Sequence, residues 1–324
     1  MIKVLSIDGG GIRGIIPAIM LTEIEYRTHK PIYQLFDLMV GTSTGGILTL
    51  GLNKPDPQNP TQAQYTAETL SELYLKKGKQ IFPTDFMDRL GISNILNEKY
   101  PASGIESLLE SYFEDVWLSQ SLKTVVVTSY EIHKRDTWLF KSLRANKDRR
   151  YDFKMRDVAR STSAAPTYFE PAMIRPAESQ DVYHMIDGGM YANNPSMIAF
   201  VEVLKNYQDE RDQGCLLISL GTGETHKPIL YKDAKDWGLL HWAKPTVDIL
   251  FSATSHAIHN QLNIIFGNYP DNFKYHRFQC RLDISYSDMD RTEDEFLDYY
   301  ASLAKRMIID ASREIDQICK LLTD

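Results

Sequence analysis

The chain has little cysteine and no long apolar run, and each scarcity closes off a class of protein. Its 324 residues hold three cysteines, Cys215, Cys280 and Cys319, far apart in sequence. So few make no disulfide framework, and their spacing matches no metal-ligand pattern, so a reducing cytosol is expected. Nowhere do about 18 uncharged apolar residues follow one another, which excludes a membrane-spanning helix. Positive charge is in deficit: 36 Lys and Arg against 43 Asp and Glu leave a formal net charge of −7. A chain of that sign is not a general binder of nucleic acid polymers, and attraction to an anionic membrane must come from a local patch. The strand-like start at residues 2–7 has no basic-then-apolar leader, so no signal peptide is expected. Internal repeats and low-complexity segments are also missing.

What is present is an ordinary globular composition, 43% hydrophobic and 24% charged, ample for a large core. Strand-like runs fall at residues 3–7, 36–40, 123–129, 137–142, 183–187 and 215–220. Helical periodicity separates several of them, at 15–27, 46–52, 63–77, 104–113, 156–161 and 195–207. Short apolar strands alternating with helices predict a three-layer α/β/α fold around a mostly parallel sheet. Asn194-Pro195 is a helix start, with Asn as cap and Pro at the first helical position. From Pro245 the apolar residues recur at helical spacing, and a last helix is expected over about 292–322. No linker marks a boundary, so the reading is one domain with helical elaborations.

Three glycine-rich turns each follow a strand, and such turns gather at the sheet edge where α/β folds bind ligands. The first is Asp8-Gly9-Gly10-Gly11-Ile12-Arg13-Gly14. The second, Gly41-Thr42-Ser43-Thr44-Gly45-Gly46, reads as strand, sharp turn and helix with a serine at the bend. Glycines on both sides permit the strained geometry that lifts a hydroxyl out of a sheet, the build of a nucleophile elbow. The third is Asp187-Gly188-Gly189.

Gly9 to Gly14 also fits the G-x-G-x-x-G fingerprint of a dinucleotide site, so a nucleotide-binding sensor is the alternative reading. The acidic residue that fingerprint wants at the end of the second strand is missing, as is the G-K-[ST] ending of a phosphate loop. Adjacent glycines serve equally well as a row of backbone N–H groups that stabilise an oxyanion. Ser43 needs a base. His133 and His184 are the nearest histidines, yet neither sits in a glycine turn, whereas Asp187 does. A carboxylate near its ordinary pKa of about 3.9 is a weak base, but an apolar pocket raises that value. Each residue also has a plain structural role: Ser43 and Asp187 as turn residues, Asp8 as a cap of its own turn.

In these motifs the chain resembles the patatin-like phospholipase family, with the first turn continuing through Ile15-Ile16-Pro17. Two further stretches share the likeness, Ser161-Thr162-Ser163-Ala164-Ala165-Pro166-Thr167-Tyr168-Phe169 and Ser219-Leu220-Gly221-Thr222-Gly223. The similarity covers about residues 1–225, leaving 226–324 as a helical C-terminal extension packed on the same domain. Gly189 stands where some relatives have Ala, a common variant. The resemblance implies that Ser43 is the nucleophile and Asp187 its sole base partner. It implies an oxyanion hole of Gly9, Gly10 and Gly11 helped by Arg13, with Gly14, Gly41, Gly45, Gly188 and Gly189 as motif glycines. It implies hydrolysis of fatty acyl esters in membrane phospholipids through an acyl-serine, with no metal and no organic cofactor. The enzyme would be cytoplasmic, in peripheral contact with the inner face of the membrane. Some bacterial relatives are anti-phage effectors that a cyclic nucleotide switches on, which makes a cyclic nucleotide activator one reading of this chain, and a homodimer another.

Two stretches are candidates for meeting lipid. Residues 141–156 carry Lys141, Arg144, Lys147, Arg149, Arg150, Lys154 and Arg156 against Asp148 and Asp152, a local positive patch or a solvated loop. Trp237 to Trp242 suits an interface if exposed and the core if buried.

Overall fold

The computed structural model describes residues 1–83, 100–226 and 228–324. Its strands are β1 (Ile2–Ile7), β2 (Leu38–Gly41), β3 (Thr124–Glu131), β4 (Asp136–Lys141), β5 (Ala172–Ile174), β6 (Tyr183–Asp187), β7 (Cys215–Leu220) and β8 (Phe273–Phe278). The longer helices are α1 (Ile15–Thr28), α2 (Thr44–Gly51), α3 (Ala67–Ile81), α4 (Ser103–Phe113), α5 (Met155–Thr162), α6 (Ser196–Asn206), α7 (Leu239–Gly267), α8 (Asp294–Asp310) and α9 (Ser312–Thr323). All strands join one sheet in the order β5-β6-β3-β2-β1-β7-β8, with β4 also on β3. The pairs from β3 through β2, β1 and β7 to β8 are parallel, while β4, β5 and β6 pair antiparallel.

The central strands are apolar on both faces because helices cover both. Leu5 and Ile7 of β1 and Met39 of β2 pack into the larger core with α1, α3 and α4. The alternate residues Val4, Leu38 and Val40 pack on the opposite face against Phe200 and Val203 of α6 and Leu262 and Phe266 of α7. The two-residue period of the strands thus divides one apolar run between two layers.

The region after residue 225 adds more than helices. It contributes β8, whose Phe-Lys-Tyr-His-Arg-Phe shows only alternation diluted by polar side chains, while the other strand absent from the sequence pattern, β5, lies earlier and is three residues long. α7 begins at Leu239 with Pro245 inside it. The expected last helix is two, broken at Ala311, where ψ is 13°. Arg27 of α1 donates to Ser312 O and Asp316 at this break, tying α9 back onto α1.

The register on β3 decides where the site forms. Residues Val126 to Glu131 pair with β4 along one edge. On the other edge β2 pairs with Thr124 to Val127, and β6 takes over at Ser129 to Glu131. β2 and β6 therefore run toward each other along the same edge, and their C-terminal ends meet at Thr128. Asp187 comes near Ser43 by this end-to-end meeting and not because both end parallel strands. β6 is antiparallel to β2, so its end would lie at the opposite side of the sheet were the two strands not collinear.

Phe266 links α7 to the sheet through Phe200 and Phe273. Phe266→Ala is expected to cost about 3–5 kcal/mol and to lower the melting temperature of the whole chain in one transition. Separate melting of a C-terminal unit by calorimetry would contradict this.

Candidate active site

Ser43 stands between β2 and α2 with φ 54° and ψ −123°, a backbone region that costs a non-glycine residue roughly 1–3 kcal/mol. The surroundings hold it there. The Ser43 N–H donates to Thr162 Oγ1 at 2.8 Å, and Gly45 lies so close to β1 that a Cβ would sit 2.2 Å from Ile7 O. Gly41 in turn packs on Gly45 O, and Gly14 on Thr44 Oγ1. Thr42 reaches across to Thr128 Oγ1 at 2.7 Å, and Gly188 rests on that same threonine. One side chain at the strand junction therefore spaces the serine turn from the aspartate turn.

Ser43 and Asp187 line the same slot, with the hydroxyl near enough to the carboxylate to hold its pKa down. Asp187 Oδ1 accepts from Gly189 N–H at 2.7 Å, and the Asp187 N–H donates to Ala164 O at 3.0 Å. The carboxylate is buried, and burial pushes its pKa up to about 7 against the opposing pull of the Gly189 N–H and the Ser43 hydroxyl. A base of that strength is half ionised near neutrality, which suits proton transfer at physiological pH. The expected weakness of a carboxylate base is removed by desolvation.

The glycine loop divides its labour. The Gly9 N–H donates to Asn193 O at 3.0 Å, so it is already committed. Among the described residues nothing accepts from the Gly10 or Gly11 N–H, and both glycines line the slot that holds Ser43. Gly11, at φ 58°, is wedged on Met289 O, and only glycine fits both conditions. Arg13 does not reach that slot. Its Nε donates to Gly10 O at 3.3 Å and Nη1 to Ser287 O at 3.4 Å, bracing the loop from behind.

The slot is small, about 40 Å³, and walled by Ile47, Ile81, Phe82, Ile105 and Phe169. Tyr168, Asn193, Phe251 and Met289 separate it from a larger, polar cavity of about 480 Å³. Neither His133 nor His184 lines the slot; they sit together beside Glu131, their ring centres 6.0 Å apart. Asp8 is not a cap: its carboxylate forms a buried ion pair with Arg277.

Sequence reasoning gave no role to Thr162, Ala164, Asn193 or Arg277. The first two lie inside the Ser161–Phe169 stretch, whose function is now plain: it carries one acceptor for each member of the pair. Arg277 lies on a strand with no motif around it.

Among the described residues, five of the seven cations in the basic stretch are ion-paired. Lys141 pairs with Glu202, Arg149 with Asp152 and Glu178, Arg150 with Asp148, and Lys154 and Arg156 with Asp115. The tryptophan stretch is at the site. Trp237 lines the larger cavity, Trp242 is exposed and packs edge-on against it at 5.1 Å. The side chains of Leu239 and Leu240 lie outside the described residues.

Because Asp187 must be ionised to accept a proton, kcat/KM for a soluble short-chain ester is expected to rise with pH through about 7 and level off above it. A limb near an ordinary carboxylate pKa of about 4 would show that burial does not control the base. Asp187→Asn is expected to lower kcat by roughly 10²–10⁴-fold while leaving the protein folded.

The sequence matches the family model for Patatin-like phospholipase over residues 5–200. Patatin-like protein 2 of Arabidopsis thaliana is 31% identical over 310 residues, covering 86% of this chain and 75% of that protein. Patatin-like protein 2 of Oryza sativa subsp. indica is 29% identical over 341 residues, covering 95% and 84%. Probable inactive patatin-3-Kuras 1 of Solanum tuberosum is 30% identical over 302 residues, covering 86% and 78%. That last name shows that the likeness alone does not carry activity, so a catalytic assignment has to rest on the site. In fold and in sequence the chain belongs to the patatin-like phospholipase family, a family of lipid acyl hydrolases.

Proposed function

We propose that this chain is a serine lipid acyl hydrolase of the phospholipase A type, releasing fatty acids from membrane glycerophospholipids. One observation carries the reading: the Ser43 hydroxyl shares a slot with a buried carboxylate whose pKa is pushed up to about 7 and with the Gly10 and Gly11 N–H groups, from which nothing accepts among the described residues.

Each group then has a step. Asp187 takes the hydroxyl proton as Ser43 Oγ attacks the ester carbon, and the carbonyl oxygen becomes an oxyanion. The Gly10 and Gly11 N–H groups are the donors available to it, and losing one such donor costs roughly 2.7–4 kcal/mol of barrier. Gly9 and Arg13 support the loop that presents them. The intermediate collapses, and Asp187 returns its proton to the departing alcohol. Water, deprotonated by the same carboxylate, then attacks the acyl-serine; as the acyl–Oγ bond breaks Asp187 gives that proton to Ser43 Oγ, and the fatty acid leaves. The apolar slot has room for the reacting ester end alone, and the larger cavity of about 480 Å³ has room for more of the lipid. Pair and donors stand assembled, so the proposal is a constitutive hydrolase, with neither a cyclic-nucleotide activator nor a defence role in it. The nucleotide-sensor alternative is less favoured because the glycine loop closes over the serine.

The cavity mouth supports contact with a bilayer. Ile229, Leu230 and Ile249 line the cavity and are exposed at its rim; Trp242 stands nearby and Tyr231 is 84% exposed. Apolar side chains in that position gain by entering the boundary of a lipid layer.

Ser43→Ala is expected to abolish both ester hydrolysis and labelling by a fluorophosphonate probe, whose adduct on the wild type should map to the peptide holding Ser43. Full activity in that variant would end the proposal. Tyr231→Ser with Trp242→Ser is expected to cut turnover of phospholipid vesicles at least about 100-fold, since burying each such side chain is worth roughly 1.5–3 kcal/mol. Turnover of a soluble ester should stay within about twofold, by the same measure of one lost lipid contact. An equal loss on both substrates would assign the rim to folding instead.

A further inference from the structure

Asp8 immediately precedes the glycine loop, and its carboxylate is buried. A negative charge there opposes the negative oxygen that forms beside Ser43, and low polarity strengthens that opposition. Arg277 answers it. From β8, Nη1 donates to Asp8 Oδ1 at 2.8 Å and Nη2 to Asp8 Oδ2 at 2.5 Å, a two-pronged pair with only 6% of the arginine side chain exposed. The same guanidinium donates to Ser219 Oγ of β7 at 2.8 Å and Ser255 Oγ of α7 at 3.3 Å, which fixes its plane. Glu224, Tyr275 and His259 are the other titratable groups around it.

The loop is clamped at successive residues. Arg277 holds Asp8, Thr222 Oγ1 donates to Gly9 O at 2.6 Å, and Arg13 holds Gly10 O. A buried ion pair is weak evidence for stability, because a well-packed apolar pair does as well or better. Its placement two residues before the first of the N–H donors asks for another explanation.

We propose that Arg277 is a positioning residue for the oxyanion loop: it neutralises Asp8 and sets the direction of the Gly10 and Gly11 N–H groups without touching substrate. The residue lies outside the 5–200 segment that carries the family match, so this chain supplies the clamp from its C-terminal region. The inference rests on the reading that Ser43 attacks an ester whose oxyanion those two groups receive.

The test uses a soluble p-nitrophenyl ester, with kcat and KM measured separately and folding followed by melting temperature. Arg277→Gln is expected to lower kcat about 10²-fold, the scale of one lost oxyanion donor, with KM within about threefold. Arg277→Lys, which keeps the charge but not the fork, should fall between it and the wild type. Asp8→Asn combined with Arg277→Gln removes the uncompensated charge and should recover about tenfold over Arg277→Gln alone. A folded Arg277→Gln with unchanged kcat, a loss confined to KM, or a double variant no better than the single would overturn the proposal. If Arg277→Gln does not fold, Arg277→Lys decides, since an unchanged kcat there overturns it equally. Wild-type protein without esterase activity would instead sink the reading of Ser43, and the two failures are told apart by that control.

Discussion

The site depends on one edge of one strand. β3 offers its β2-side edge to two partners in succession, β2 up to Val127 and β6 from Ser129 on. Two strand ends that would otherwise lie at opposite sides of the sheet are brought face to face, with Thr128 between them touching Thr42 and Gly188. Backbone hydrogen bonding sets this meeting to within a residue, because a slip along β3 would turn every side chain to the wrong face. Ser43 and Asp187 can then be far apart in sequence and still line one slot.

Around that meeting, the molecule holds two unfavourable things in place. Ser43 keeps a positive φ, secured by Thr162 and by the close packing of Gly45 on β1. Asp187 keeps a carboxyl out of water, which raises its proton affinity. Neither arrangement stabilises the fold by itself. Both persist because the layers on each side of the sheet leave the backbone nowhere else to go.

The chain divides its duties along its length. The segment that matches the family holds the pair, the glycine loop and the Thr162–Ala164 support. The region beyond it supplies the surroundings: Phe251 and Met289 over the slot, the exposed rim of the larger cavity, and Arg277 behind Asp8.

Much was legible in the sequence. Strands and helices bounded by glycine turns could be read because apolar period and turn chemistry are local properties. Ser43, Asp187 and the glycine loop could be read because each motif is contiguous. What tertiary structure alone decided is relational. The carbonyl that takes up the Gly9 N–H belongs to Asn193, a residue with no pattern to mark it. The cation that neutralises Asp8 arrives 269 residues later, from a strand too mixed in composition to foresee. For the stretch at 141–156, a positive patch or a solvated loop in the sequence, the fold supplies partners: Lys141, Arg149, Arg150, Lys154 and Arg156 are ion-paired. Local sequence sets which groups exist and how the backbone bends around them, whereas distance, burial and proton affinity follow from which strand lies beside which.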